Sequence, residues 1–307
     1  MRIGVFISET WRHSSDLDEV RQRARQAEAL GFSSAWVPYV MRSLDALLSI
    51  QAAGAVTKSM ELGSAVIPTY LFHPLALARQ AHTLRGELGG RLTLGIGCSQ
   101  QVVIEKMHGL PFTRPAQHVR EYVEILRRTT EQSGHVEYDG ELFQLDSPFL
   151  TPGAGPLSVL LGAIGPLMLQ VAGELTDGTI ATMSDEGAIE RVIVPAINSA
   201  ANTAGRPAPR VGAVIPIIVT DDLEGAQQAA GDYFIMYEGL PRYKRMIELG
   251  NHDRAAGLCI IGNERAVQHR MQRFADAGLT DFIAAPFTFG DQTEIQRQRT
   301  LECLADF

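Results

Sequence analysis

The stretch Glu61-Leu-Gly-Ser-Ala-Val-Ile-Pro-Thr-Tyr70, followed by His73-Pro74 and by Gly89-Gly-Arg-Leu-Thr-Leu-Gly-Ile-Gly97, decides the fold. It reads as strand over 60–68, loop, helix over 74–88 and strand over 91–97. Small residues stand where each strand ends, at Ser64-Ala65-Val66 and at Gly97-Cys98-Ser99. Such ends let a backbone come close to a flat ligand.

The same alternation runs outward in both directions. Residues 2–8 form an apolar strand. Leu17, Val20, Ala24, Ala27 and Leu30 then recur at three- and four-residue steps, which predicts a helix over 16–30. Asp16 is its expected N-cap and Gly31 its stop. A strand over 34–40 and a helix over 44–58 complete the approach to the opening stretch. Beyond it the next helix is delayed: 100–115 reads as an irregular insertion before a helix over 116–132. The Asp-Gly in Tyr138-Asp-Gly-Glu141 predicts a hairpin over 135–145. Strands follow at 157–164, 178–183, 210–220 and 281–286. Helices are expected at 166–175, 186–204, 222–249, 263–277 and 294–306.

Eight strands alternating with helices predict an α/β fold, a parallel (β/α)8 barrel in one domain over 1–307, with an insertion after strand four. An open doubly wound sheet is the alternative. It lacks its G-x-G-x-x-G fingerprint after the first strand.

Composition narrows the function. With 45% hydrophobic and 20% charged residues the chain can bury a large core. A net charge of −8 argues against non-specific nucleic-acid binding. Cys98, Cys259 and Cys303 are far apart, match no metal spacing and suggest no disulfide framework, so a reducing cytoplasm is expected. The apolar run at the N-terminus is too short for a signal peptide, and no run approaches the roughly 20 apolar residues of a membrane span.

In a barrel the site lies at the C-terminal ends of the strands. These ends read Ser8-Glu9-Thr10, Pro38-Tyr39-Val40, Ser64-Ala65-Val66, Gly97-Cys98-Ser99-Gln100, Gly162-Ala-Ile-Gly165-Pro166 and Ala181-Thr182-Met183. They hold no acid pair, no histidine cluster and no nucleophile–base pair. Such a lining suits a flat aromatic cofactor that brings its own chemistry. It suits glycoside or metal-assisted hydrolysis badly.

Several segments, in this order, resemble the luciferase-like monooxygenases. They are Gly31-Phe32 with Ala35-Trp36-Val37, Leu62-Gly-Ser-Ala-Val66, His73-Pro-Leu-Ala-Leu-Ala-Arg-Gln-Ala81, Gly89 to Gly97, Ala172-Gly-Glu-Leu-Thr-Asp-Gly178 and Ala275-Asp-Ala-Gly278. Gly162-Ala-Ile-Gly-Pro-Leu-Met-Leu-Gln-Val-Ala-Gly173 and Arg206-Pro-Ala-Pro-Arg210 look most like the deazaflavin (coenzyme F420) branch. The resemblance implies a homodimeric oxidoreductase that moves hydride between F420 and a small organic substrate. It also implies a bulge after strand three with a non-prolyl cis peptide, by position Ala65-Val66, against one face of the deazaflavin. Ser64, Ala65 and Val66 then form that wall, beside Gly97. Ser99 and Gln100 face the pyrimidine edge, Gly162, Ala163, Ile164 and Gly165 form a phosphate or ring-edge site, and Thr182 contacts the tail. Two other readings stay open: an FMN monooxygenase using O2 and a separate reductase, and a barrel that binds cofactor without catalysis.

One departure concerns the proton. Some relatives carry Asp-His after strand two, where this chain has Tyr39 and Val40. A histidine is frequent after strand four, where Gln100 stands, and glutamine cannot do acid–base work. Tyr39 and Gln100 therefore occupy the expected catalytic positions, with Glu9, Tyr70, His73 and Glu105 as other candidates. His73 also reads as a helix cap, Glu105 as a surface charge and Cys98 as a small buried residue. His108, His118, His135, His252 and His269 are expected at the surface, and Trp11 and Trp36 in packing. Residues 235–246 read as a lid over the barrel mouth or a helix pair covering it. Arg79, Arg114, Lys244 and Arg245 are candidates for an anionic tail, or solvated.

Overall fold

Alternation along a strand sends every second side chain to one face, and here that face is the lumen of a barrel. The computed structural model describes residues 1–8, 16–41, 43–131, 134–151 and 155–307. Its barrel strands are β1 (Arg2–Phe6), β2 (Ser34–Val37), β3 (Glu61–Ser64), β4 (Leu92–Gly97), β5 (Ser158–Gly162), β6 (Gly178–Thr182), β7 (Arg210–Val219) and β8 (Asp281–Pro286). Each pairs parallel with the next, and β8 closes on β1 with Arg2 opposite Asp281. The Ala65–Val66 bond is cis, as the resemblance implied. Ile67–Pro68 then resumes pairing with β4.

The lumen is filled in layers, as the barrel geometry requires. Its floor is ionic. Arg210 donates to Asp281 at 2.7 Å and to Glu61 at 3.0 Å, Arg2 donates to Asp281 at 3.2 Å, and the Thr93 hydroxyl donates to Glu61 at 2.8 Å. Above it sits Trp36, fully buried among Phe6, Leu160, Ile180, Val214 and Ile283. A Cβ at Gly4 or Gly63 would collide with its ring, so those two glycines make its room. Ala65 and Val66 pack on top of this layer.

Helices wrap the outside, and their ends follow the sequence signals. The Asp16 carboxylate accepts the Glu19 N–H at 2.8 Å and starts the helix Leu17–Ala29. The helix Pro166–Leu175 has the predicted bounds. Elsewhere the structure corrects the reading. The insertion after β4 contains a π-helical turn, Val103–Met107. The single helix expected over 186–204 carries a π segment, Ile189–Ile193, ahead of Val194–Thr203. Pro195 has no N–H to continue a regular ladder there. The hairpin runs to residue 149, pairing Gly134–Asp139 with Gln144–Phe149. Its loop is clamped by the Glu121 carboxylate, which accepts from the N–H groups of Glu141, Leu142 and Phe143 at 3.1, 2.9 and 2.9 Å. A short strand that the sequence did not reveal, Ile260–Gly262, extends the sheet beside Ile217–Val219 of β7. Segment 222–249 is two helices, Leu223–Glu238 and Pro241–Leu249.

The three cysteines are free and buried. Among the described residues no cluster of potential metal ligands occurs, and no helix is long and apolar enough to cross a membrane. Glu9, Thr10 and Trp11 lie outside the described residues.

Candidate functional site

The lumen opens at the C-terminal ends of the strands into a cavity of about 360 Å³. That lies within the range of roughly 300–1,000 Å³ usual for small-molecule sites. Val66 and Ile180 form part of its wall, and both also pack on the apolar layer around Trp36. Lumen-facing Gly97 and Gly162 flank Val66. A Cβ at Gly97 would stand 2.8 Å from the Val66 Cγ2, and one at Gly162 would stand 3.0 Å from it. At Gly165 a Cβ would meet nothing within 4 Å. Two residues just past the strand ends, Ser99 (φ 62°) and Met183 (φ 52°), hold the left-handed conformation, which is uncommon for residues other than glycine. Residues held there cluster at ligand sites.

The described wall carries no carboxylate and no imidazole. Its charges are cationic, Arg242 and Arg245, in a chain whose net charge is −8. Gly165 begins the helix Pro166–Leu175 with no side-chain cap, which leaves the first amides open to an anion. The helix Pro241–Leu249 leans over the mouth. Its Arg242 donates to the Cys98 Sγ at 3.2 Å. Tyr243 and Gln100 both line the cavity. Burial pushes the Tyr243 phenol above its ordinary range, and the nearby Gln100 side chain and Arg242 guanidinium pull the other way. An apolar wall, small strand ends, open amides and two guanidinium groups fit a flat aromatic ring with an anionic tail.

Most of the residues expected at the site meet here. Val66, Gly97, Ser99, Gln100, Gly162, Ala163, Ile164, Gly165 and Thr182 all line the cavity. Ser64, Ala65 and Tyr39 are not brought to its wall. The Ser64 hydroxyl bridges β3 and β4, donating to the Gly95 carbonyl and accepting from the Gly95 N–H, both at 2.9 Å. Ala65 belongs to the packing above Trp36. Tyr39 packs edge-on against Phe72, with ring centroids 6.1 Å apart.

The other candidates are accounted for structurally. His73 caps the helix Pro74–Glu87, its Nδ1 accepting the Leu75 N–H at 3.3 Å. Glu105 is exposed and accepts from Gln101. Tyr70 donates to the Thr113 carbonyl at 2.7 Å, and burial pushes its phenol up to about 12. It stacks on His118 at 3.8 Å. His118 is buried, which corrects the expectation of a surface histidine, and burial pushes its imidazole down to about 4. Of the four basic residues considered for a tail, Arg245 lines the cavity, whereas Arg114 pairs with Glu141. Arg242 and Tyr243 were missed as site residues. The signal within reach was the aromatic and basic cluster Leu240-Pro-Arg-Tyr243 on a segment read as covering the mouth.

A parallel eight-stranded barrel with a ligand cavity at its C-terminal mouth defines the class. The chain belongs to the luciferase-like monooxygenase family, whose model matches residues 1–298. It is 35% identical to a 5,10-methylenetetrahydromethanopterin reductase of Archaeoglobus fulgidus over 168 residues, 54% of this chain and 49% of the relative. The chain thus spans about half the length of the curated relatives it matches first. Among solved structures, the coenzyme F420-dependent tetrahydromethanopterin reductase of Methanopyrus kandleri superposes with a TM-score of 0.82 at 22% identity, covering 99% of this chain and 97% of that one. The oxygenating constituent of a type II Baeyer–Villiger monooxygenase from Pseudomonas putida, in complex with FMN, superposes with a TM-score of 0.77 at 17% identity, covering 99% and 96%. Likeness at these identities speaks to the fold alone.

Proposed function

We propose that this chain is an F420-dependent oxidoreductase that moves hydride between the deazaflavin and an organic substrate. The observation that carries the reading is the cavity wall, which among the described residues is acid-free and rich in small residues, beside a cationic rim. Such a wall accepts a flat ring without burying an unpaired charge. Membership of an oxidoreductase family and the resemblance to methylenetetrahydromethanopterin reductases support the same reading.

A bound deazaflavin would supply the hydride chemistry. The chain's own residues bind and orient. Val66 and Ile180 offer an apolar surface to a ring. Gly97 and Gly162 keep the strand ends low enough for it to approach. Ser99 and Gln100 offer hydrogen-bonding groups to a ring edge, and Thr182 to the tail. The amides following Gly165, with Arg245, offer a seat for an anionic tail. The helix Pro241–Leu249 limits the access of water from one side. We place the active form as a homodimer, for which light scattering should return twice the chain mass.

A second reading, an FMN monooxygenase using O2 and a separate reductase, draws support from the FMN complex of similar fold. Parallel titrations with oxidised F420 and with FMN separate the two. Micromolar F420 binding with weak FMN binding supports the deazaflavin reading. Preference for FMN moves the assignment to the monooxygenase, and binding of neither sinks both.

A further inference from the structure

We propose that Tyr243 is the proton donor of this site and that the substrate is an organic carbonyl compound, whose oxygen takes the phenol proton as its carbon takes the hydride. The inference rests on the F420 reading above and adds a substrate class and a donor to it.

The cavity wall narrows the choice of donor. Among its described residues the groups with an O–H or S–H are Cys98, Ser99, Thr182 and Tyr243. Arginine does not give up its proton in a protein. The Cys98 thiol is already engaged, donating to the Ser99 carbonyl at 3.4 Å and facing the Arg242 guanidinium at 3.2 Å. A phenol is a far stronger acid than the alcohols of serine and threonine, which leaves Tyr243.

Its surroundings suit the role. The ring stands edge-on to Tyr237 with centroids 4.8 Å apart, and Tyr237 packs against Phe234, which packs against Phe287. This aromatic chain fixes the ring at the mouth. The Gln100 side chain and the Arg242 guanidinium share the cavity wall with the phenol, and each pulls its proton affinity down. Both favour the phenolate that remains after transfer. Burial keeps the phenol protonated at neutral pH, ready to give its proton to an alkoxide, which is a stronger base.

The step balances. The carbonyl π bond breaks, its carbon gains a C–H bond from the hydride of a reduced deazaflavin, and its oxygen gains the proton of Tyr243. The carbonyl is reduced by two electrons to an alcohol and the deazaflavin is oxidised by two. The phenol O–H electron pair stays on Tyr243 as phenolate, which regains a proton from water at the open mouth.

The test uses the full chain and its Tyr243→Phe and Tyr243→His variants. Titration with oxidised F420 reads binding and, with it, the integrity of the site. Oxidation of reduced F420 by a panel of aldehydes and ketones reads the chemistry. The infrared carbonyl stretch of ¹³C-labelled acetophenone, added to the oxidised complex, reads the hydrogen bond without turnover. The wild type should oxidise reduced F420 with at least one carbonyl and lower the acetophenone stretch. Tyr243→Phe should bind F420 within roughly threefold of wild type, lose the infrared shift and react about 100-fold more slowly or worse. Tyr243→His, which restores a donor, should recover part of the rate. A Tyr243→Phe rate within roughly threefold of wild type overturns the proposal. So does a wild type that binds F420 but reduces no carbonyl or leaves the stretch unmoved. Failure of the wild type to bind F420 overturns the cofactor reading itself, and this proposal falls with it.

Discussion

Replacing Ser64 with alanine separates structure from ligand contact at the third strand. The side chain is fully buried, and its hydroxyl both donates to the Gly95 carbonyl and accepts the Gly95 N–H at 2.9 Å. Regular pairing between β3 and β4 is recorded for Leu62 with Leu92 and Gly63 with Thr93, so the hydroxyl takes over where that ladder stops. Water has little access to the Gly95 N–H after the change, because a Cβ on Gly95 would already collide with the Ser64 carbonyl. A buried donor left without a partner costs about 1–3 kcal/mol, and the lost bond to the carbonyl adds about 0.5–1.5 kcal/mol. The expected loss is therefore about 1.5–4.5 kcal/mol. At about 2 °C per kcal/mol for a chain of this size, Tm should fall by roughly 3–9 °C. Urea denaturation and thermal scans measure the loss, and F420 titration of the still-folded variant measures binding. The expected result is lower stability with F420 affinity within roughly threefold of wild type. Unchanged stability together with clearly weaker F420 binding would refute the structural role and return Ser64 to the cofactor wall.

Gly162→Val would place a Cβ 3.0 Å from the Val66 Cγ2 and methyl groups in the mouth, so F420 affinity should fall at least roughly tenfold in titration, and unchanged affinity would remove Gly162 from the ring site. Asp281→Asn leaves Arg210 and Arg2 facing a neutral group in the barrel floor; these arginines are partly exposed, so the loss in urea denaturation should be about 2–4 kcal/mol rather than the larger value of a sealed pair. Burial alone would raise the Asp281 carboxyl, but the hydrogen bond and charge of Arg210 hold it below its ordinary range. Its stabilisation is therefore full above the unfolded value near 3.9 and lost as pH falls through the lower folded value, and the variant should lack this acid limb. Glu121→Ala removes the acceptor of three backbone N–H groups in the hairpin loop, so hydrogen exchange at residues 141–143 should accelerate and stability should fall by about 2–4 kcal/mol.

The alternation of strands and helices was legible because most strands are apolar, several close on small residues, and several helices carry their own start signal. Asp16 and Gly165-Pro166 mark the beginnings of their helices within one residue. The positions of Gly97, Gly162 and Thr182 followed from strand ends alone. What resisted reading was decided by tertiary contact. Ile260–Gly262 is too short to show a period and exists because β7 extends past its barrel partners. The π segments are local adjustments of otherwise helical sequence. His118 sits in a polar run, Gln117-His-Val-Arg120, yet helical geometry turns it inward under Tyr70. Ser64 looked like a mouth residue because it ends a strand, but Gly95 takes its hydroxyl. Arg242 and Tyr243 lie more than 140 residues from Cys98 and Gln100, and no local pattern announces which face of their helix meets the barrel.

The lumen divides its charges by height, and that division constrains the chemistry. At the floor, carboxylates and guanidinium groups pair with one another, which makes their burial tolerable. At the mouth, the described strand-end residues that line the cavity, among them Val66, Gly97, Gly162 and Thr182, carry no charge. A carboxylate in that upper layer would lose its water when a flat ring settled on it, and the ring would offer no partner in return. A site that seats an aromatic cofactor on its strand ends is therefore driven to neutral residues there. In this chain a proton-moving group can instead approach from the side, on an element that is not part of the barrel wall. The helix Pro241–Leu249 is such an element, and it brings Arg242 and Tyr243 to the cavity from outside the strand set.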